Sequence, residues 1–194
     1  HNKEVLNILN KKYQWEPTIN VGIEKDKAWF QNKFPDFSFI DIPSLRKFKF
    51  DSYLKNIETS EINIEELDLL NKYILGYFET VDETKQGNFS FNERKDLLIE
   101  QLSFWKTLIT HNKINLVIFF AWPHRTDCYS LYLLAKHVLK IEILFIEQTP
   151  HLDEYYQTIG TELENLHLPY MKSYTEETFS KDCKDVEKYV KKIQ

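Results

Sequence analysis

The chain has little glycine, little cysteine and no long apolar stretch. Only four of its 194 residues are glycine. None of them lies between the apolar run at 114–120 and the helical pattern after it, so the glycine-rich phosphate cradle of dinucleotide-binding and P-loop proteins is absent there. No apolar run approaches the roughly 18 residues that a membrane helix needs. The sequence therefore predicts no transmembrane segment.

The two cysteines and the charge balance exclude further classes. Cys128 and Cys183 have no Cys or His neighbour at zinc-ligand spacing, which argues against a metal site or a disulfide framework. Cys128 is interpreted as a small buried apolar residue rather than a nucleophile. The net charge is −5, and the acids cluster in 58–68 and 142–164, which argues against binding to nucleic acid. We expect a cytoplasmic protein, with the inner face of the membrane as an alternative location.

Helices and strands alternate in the hydrophobic pattern. The predicted strands cover 18–23, 37–42, 114–120 and 141–146. Helices are predicted over 3–13, 25–32, 127–139 and 153–168, with two more starting at the capping boxes Asn63/Glu66, as far as Val81, and Ser90/Glu93, as far as His111. Residues 43–60 show no clear period. Because a doubly wound domain usually begins with a strand, the helical start indicates a piece of a longer protein.

This alternation is typical of the α/β class. The late strands are almost continuously apolar, as expected for strands buried on both faces of a parallel sheet. We predict one α/β domain over 1–172 with a mostly parallel sheet. Residues 173–194 are predicted to form a C-terminal amphipathic helix with an apolar side, made of Val186, Tyr189, Val190 and Ile193.

Residues 114–150 are interpreted as a single βαβ unit. In such a crossover both strands run parallel, so their C-terminal ends meet at the same edge of the sheet. The first predicted strand leads into Trp122-Pro123-His124-Arg125, and the second leads into 147–150. Open α/β sheets bind ligands at this edge. A ligand site is therefore predicted there.

His124 and Arg125 are the first candidate site residues. An imidazole that titrates near neutrality beside a fixed cation with five donors suits an anionic or polyhydroxyl ligand. The helix that follows, which contains Asp127, adds backbone N–H groups and a positive dipole end. The alternative is that Thr126 or Asp127 caps this helix and that His124 and Arg125 simply face solvent.

The neighbouring strand end supplies the other candidates. Glu147 is a possible general base, or a group that orients His124, if the two lie one strand spacing apart. Around it are the predicted ligand-binding residues Gln148, Thr149 and His151. The alternative is an ordinary strand-to-helix turn at 148–150. Trp122, at the proposed edge, is the tryptophan expected to stack on a sugar ring.

Two segments carry a resemblance to a known group of proteins. Residues 115–124, a strand that ends in Pro-His, and 132–143, a helix leading into the next strand, resemble a recurring pattern in bacterial surface and capsular polysaccharide biosynthesis proteins. Looser similarities are found at 13–17, at Phe34-Pro35 and at Phe104-Trp105. Together these segments are spread over about two thirds of the chain.

The resemblance implies a glycosyltransferase of the GT-B arrangement, which has two Rossmann-like lobes. The chain resembles the N-terminal, acceptor-binding lobe, a three-layer sandwich in which His124 and Arg125 would face the cleft between lobes. No metal is needed in that family type, and a missing second lobe would hold the sugar nucleotide, so this lobe is expected to bind no cofactor. Its expected partners are a carbohydrate acceptor and the second lobe or another protein.

The departures from that pattern limit the expected activity. The first strand and a second lobe are missing, so this chain alone is not expected to be catalytically complete. The competing hypothesis is a non-catalytic α/β module that binds a partner in the same kind of pathway. It is suggested by the acidic clusters and by the amphipathic tail at 176–193.

Overall fold

The chain has a mixed α/β fold. The computed structural model describes residues 2–83, 89–151 and 154–160. The helices are α1 (Asn2–Tyr13), α2 (Glu24–Lys33), α3 (Ile42–Arg46), α4 (Ile64–Leu70), α5 (Ile74–Glu83), α6 (Phe91–His111) and α7 (Thr126–Leu133). The strands are β1 (Ile19–Gly22), β2 (Ser38–Asp41), β3 (Leu116–Phe119), β4 (Glu142–His151) and β5 (Glu154–Gly160).

These elements fall into two compact units. Of the described residues, the sheet unit comprises 2–15, 116–122, 142–151 and 154–160, and the helical unit comprises 16–83, 89–115 and 123–141. The strands of the described residues form two separate sheets, one in each unit. The predicted α/β class and the parallel pairings are confirmed, but the expected single sheet is replaced by these two.

The sheet unit is built on β4. Strand β3 pairs with it in parallel, up to the register pair Phe119↔Phe145, and β5 pairs with it antiparallel. Leu9 of α1 is buried with Leu144 and Ile146 of β4. Half-buried apolar side chains pack against this core, namely Trp15, Leu116, Ile118 and Phe120. The helix predicted at 3–13 is thus confirmed, and its apolar stripe supplies Leu9.

In the helical unit β1 and β2 form a two-stranded parallel pair, joined by α2. Phe30 of α2 is buried, and its ring lies 4.9 Å from that of Trp29 and 5.4 Å from that of Phe37. After β2, Asp41 accepts a hydrogen bond from the Ser44 backbone N–H and so caps the short helix α3. The sequence analysis missed α3, because five residues are too few to show a helical period.

Both predicted capping boxes are present. Asn63 and Glu66 start α4, and Ser90 and Glu93 start α6, which ends at His111 as predicted. The single helix expected from 63 to 81 is interrupted, since a 3-10 turn at Asn71–Tyr73 separates α4 from α5. Asn71, at the break, is a poor helix former, and its side-chain amide donates a hydrogen bond to the Asp68 carboxylate.

The connection at 47–63 contains no helix or strand, yet it is held against α6. The Ser60 backbone N–H donates to Thr107 Oγ1 over 2.8 Å, and that of Ile62 donates to Ser103 Oγ over 3.1 Å. Lys106, on the same stretch of α6, donates to the backbone carbonyl of residue 61 over 2.8 Å. Side chains of α6 therefore serve as the hydrogen-bond partners of the backbone at residues 60–62.

One helix prediction is wrong. Residues 154–160, expected to lie within a helix at 153–168, form strand β5 instead. Tyrosine, threonine and isoleucine dominate this stretch, and these aromatic and β-branched residues favour strands. Pairing with β5 also extends β4 to His151, well beyond the predicted end at residue 146. Residues 161–168 and the predicted tail helix at 173–194 lie outside the described residues.

Candidate functional site

The turn at 123–125 leads into α7 and places two candidate residues at the surface. Pro123 is buried, whereas His124 and Arg125 are exposed. Arg125 is the N-cap residue of α7, with φ −112° and ψ 155°, and its side chain makes no capping hydrogen bond. Thr126 and Asp127 are buried inside the first turn. The alternative in which one of them is the N-cap is therefore wrong, although His124 and Arg125 do face solvent.

Asp127 is a buried carboxyl directly beneath this exposed turn. Its side chain is 5% exposed, and Oδ1 makes no hydrogen bond to any described residue. Burial raises the pKa of Asp127 above its usual range, against the opposing effects of backbone N–H groups and of the charges of Arg125 and His124. The structure thus brings three predicted site residues together: His124, Arg125 and Asp127.

The first turn of α7 is held by two buried hydrogen bonds, one from Trp105 of α6 and one from Ser130 within α7. Trp105 Nε1 and Ser130 Oγ each donate to the backbone carbonyl oxygen of Asp127, both over 3.0 Å. All three residues are buried. Because these bonds fix the backbone, the position of the Asp127 carboxyl is set by the packing of α6 against α7.

Two further polar residues lie in the same interior, and the sequence analysis did not identify them as site residues. Tyr77 of α5 donates through its hydroxyl to Gln101 Oε1 of α6 over 2.9 Å, and both side chains are buried. Burial raises the pKa of Tyr77, and the negative charges of Glu100 and Asp127 raise it further. The signal that could have revealed Gln101 is its place on the buried stripe of α6, beside Leu102.

Gln101 Nε2 makes no hydrogen bond to a described residue. A buried polar group without a partner costs about 1–3 kcal/mol of folding free energy. The interior formed by α5, α6 and α7 therefore contains two such groups, the Gln101 amide nitrogen and the Asp127 carboxyl oxygen. Unsatisfied groups of this kind in a native protein call for an explanation, such as a bound water or a ligand.

The Cys128 thiol lies beside this carboxyl but is chemically quiet. Burial, together with the charge of Asp127, raises the pKa of Cys128 to about 11. The thiolate is the reactive form of cysteine, and it is scarce near neutral pH at such a pKa. This agrees with the interpretation of Cys128 as a small apolar residue.

The remaining predicted site residues belong to the sheet unit. Trp122 is half-buried and follows β3. Residues 147–151, expected just beyond a strand that ends at 146, lie inside β4, so that strand end and the alternative of a strand-to-helix turn at 148–150 are both wrong. Their partners on β5 are given by the register pairs Glu147↔Thr158, Gln148↔Gln157, Thr149↔Tyr156 and His151↔Glu154. The roles predicted for these four side chains and for Trp122 stay predictions.

Within 2–83, 89–151 and 154–160, no three His, Cys, Asp or Glu side chains gather where they could hold a metal ion. No helix of these ranges combines the length and the apolar character needed to cross a bilayer.

Comparisons of the chain with protein-family models, with curated proteins and with solved structures find no match.

Proposed function

We propose that this chain is the acceptor-binding lobe of a metal-independent glycosyltransferase that builds a surface polysaccharide, and that His124 and Arg125 bind an anionic group of the acceptor. One observation carries the proposal: an exposed imidazole and an exposed guanidinium lie directly before α7, whose N-cap residue forms no side-chain cap. The Rossmann-like architecture of the lobe, and a second lobe that holds the sugar nucleotide, are parts of the same proposal.

The chemistry of the turn supports an anionic ligand. A guanidinium presents its donors in a planar fork that matches the oxygens of a carboxylate or a phosphate. Backbone N–H groups at a helix N-terminus point outward and carry partial positive charge, so they favour an anion at the same place. Arg125 combines both features, because it is itself the N-cap residue of α7.

A ligand titration followed by protein NMR tests this proposal. The ligands are sugar nucleotides, short acidic glycans, short neutral glycans and inorganic phosphate. We expect acidic ligands to bind, with the largest shifts at 124–129. We expect Arg125→Ala and His124→Ala each to weaken that binding by at least about tenfold, the effect of a lost charge-assisted hydrogen bond.

His111→Ala and Lys95→Ala are the matched controls, since both side chains are exposed on α6 and neither belongs to the turn. They are expected to leave binding unchanged. If acidic ligands fail to bind, or if they bind equally well to the turn variants and to the controls, the proposal is wrong.

A second candidate function is supported by a different observation. Three large apolar side chains on α4 and α5 are exposed, Ile64 by 75%, Leu69 by 53% and Leu75 by 72%. Exposed apolar surface of this kind marks contacts with other proteins when it is contiguous. In a partner-binding module, Leu75→Ser would abolish association, which sedimentation equilibrium measures. A monomer in both the wild type and this variant would argue against self-association.

A further inference from the structure

Gln101 and Asp127 of the helical unit each carry a buried, unpartnered atom, and the two atoms have opposite hydrogen-bonding character. Gln101 Nε2 can only donate, and Asp127 Oδ1 can only accept when the carboxyl is ionised. Their side chains are 1% and 5% exposed. A donor and an acceptor that are both buried and both unused together define the chemistry of the group that would satisfy them.

Both atoms lie in one cluster. Gln101 is one helical turn from Trp105 on α6, and the indole of Trp105 bonds to the backbone of Asp127 over 3.0 Å. From the other side, the charge of Asp127 acts on the Tyr77 hydroxyl, which bonds to Gln101 over 2.9 Å. Gln101 and Asp127 therefore share the neighbours Trp105 and Tyr77 in the interior between α5, α6 and α7.

Neighbouring hydrogen bonds fix which atoms are offered. The Tyr77 hydroxyl donates to Oε1 of Gln101, and in this orientation of the amide Nε2 is the atom left available. The bonds from Trp105 and Ser130 hold the backbone of Asp127 in the same way. A site that is oriented before its ligand arrives loses less entropy on binding.

We propose that Gln101 Nε2 and Asp127 Oδ1 bind a hydroxyl group of the ligand whose anionic group lies at His124 and Arg125. A hydroxyl accepts one hydrogen bond and donates another, which matches this pair. A fully ionised phosphate has no proton to give the carboxylate, and a metal cation would be repelled by the amide N–H. The inference rests on the proposed function and narrows the acceptor to a hydroxyl-bearing anion, either a sugar phosphate or an acidic sugar.

Matched pairs of small anions test the inference on the full chain. Glycerol 3-phosphate is compared with propyl phosphate, and glycerate with propionate, so the members of each pair differ only in their hydroxyl groups. Dissociation constants are measured by NMR titration. In the wild type, the hydroxylated anion of at least one pair should bind at least about tenfold tighter than the anion without hydroxyl groups. Whether the phosphate pair or the carboxylate pair shows this difference identifies the anionic group of the ligand.

Variants assign that preference to the two atoms. Asp127→Asn and Gln101→Met should bring the ratio within each pair close to one, with the affinity of propyl phosphate and propionate retained. His111→Ala, at an exposed position of α6 that contacts neither atom, should keep the preference. Arg125→Ala should weaken both members of a pair equally. Native NMR spectra confirm folding, and Gln101→Met decides the outcome if Asp127→Asn does not fold.

The outcomes separate the two proposals. The inference is overturned if both anions of each pair bind equally to the wild type and Arg125→Ala weakens both. Gln101 Nε2 and Asp127 Oδ1 then bind only water, while the proposed function stands. A preference that survives in Gln101→Met also overturns it. If none of the four anions binds, the proposed function fails and the inference fails with it.

Discussion

Two segments of the chain share the order strand, helix, parallel strand, and they differ in chemistry. In the first, β1 leads through α2 to β2, and the helix begins at Ile23 with the acidic residues Glu24 and Asp26 in its first turn. In the second, β3 leads through α7 to β4, and the helix begins at Arg125, after His124. Neither N-cap residue forms a side-chain cap. The topology is the same, so the side chains at the strand end decide which turn can bind an anion.

The strands of the two segments also differ in how deeply they are buried. Along β4, Ile143, Leu144 and Phe145 are buried, whereas every residue of β1 is only half-buried. The largest expected effect follows from this. Leu144→Ala should lower the free energy of unfolding by about 2–5 kcal/mol, the usual cost of emptying a buried leucine site. Val21→Ala on β1 should cost at most about 1 kcal/mol. Urea denaturation measures both, and equal losses would contradict the comparison.

The second prediction concerns binding. Arg125→Ala should weaken the affinity for inorganic phosphate by about 10- to 100-fold, as expected for a lost hydrogen bond between charged groups. Lys25→Ala, which removes an exposed cation from the first turn of α2, should leave the affinity unchanged. Calorimetric or NMR titration gives both constants. A comparable loss in Lys25→Ala would show that general charge, not the turn, holds the anion.

The third prediction uses the N-cap positions. Ile23→Asp should stabilise the chain by about 1 kcal/mol, because an aspartate there can accept the N–H groups that isoleucine cannot. Arg125→Ser should give a similar gain at α7 while losing phosphate affinity, a trade of binding for stability. Denaturation midpoints measure the gain. A loss of stability in Arg125→Ser would mean that the arginine itself supports the fold.

The smallest expected effect depends on pH. The pKa of Asp127 is raised from 3.8 by burial, so its contribution to stability is complete below that pH and is lost as the pH rises through the folded pKa. Asp127→Asn removes this dependence. Relative to wild type, the unfolding free energy of the variant should therefore improve as the pH rises from acid towards neutrality, in a series of denaturation curves.

Glu66 provides the control of opposite sign. Partial burial works against its ionisation, but hydrogen bonds from Lys106 and from the Asn63 backbone outweigh it, and the pKa of Glu66 is lowered. Its contribution to stability is present above the usual pKa and is lost as the pH falls. The free energy of unfolding of Glu66→Gln should thus approach that of the wild type as the pH falls. If both variants shift in the same direction with pH, global charge is responsible.

The sequence predicted the elements whose signals are local. The capping boxes at Asn63 and Ser90 start helices, and the stripe through Leu98, Leu102 and Trp105 lies in the core. Both signals are complete within a few turns of one helix. The start of α7 and the parallel strands on either side of it were predicted for the same reason.

What the sequence did not show depends on partners elsewhere in the chain. Strand β5 was mistaken for a helix because its pairing with β4, not its own period, determines its structure. Tyr77 and Gln101 are 24 positions apart, and only the packing of α5 on α6 turns a helix-stripe tyrosine and a polar core residue into a bonded pair. His124, Arg125 and Asp127 of the candidate site were therefore predictable, whereas Tyr77 and Gln101 were not.

The connection at 47–63, bonded to Ser103, Lys106 and Thr107 of α6, has a practical consequence. Long segments without helix or strand are ordinarily where proteases cut and where foreign sequence can be inserted without harm. The backbone N–H groups of Ser60 and Ile62 are hydrogen-bonded to side chains of α6. This segment must therefore detach from α6 before a protease can cleave it or its amide hydrogens can exchange with solvent. A tag or a reporter domain inserted at 60–62 would unfasten the chain from α6, whereas the same insertion at the exposed residues 55–56 would leave those bonds in place.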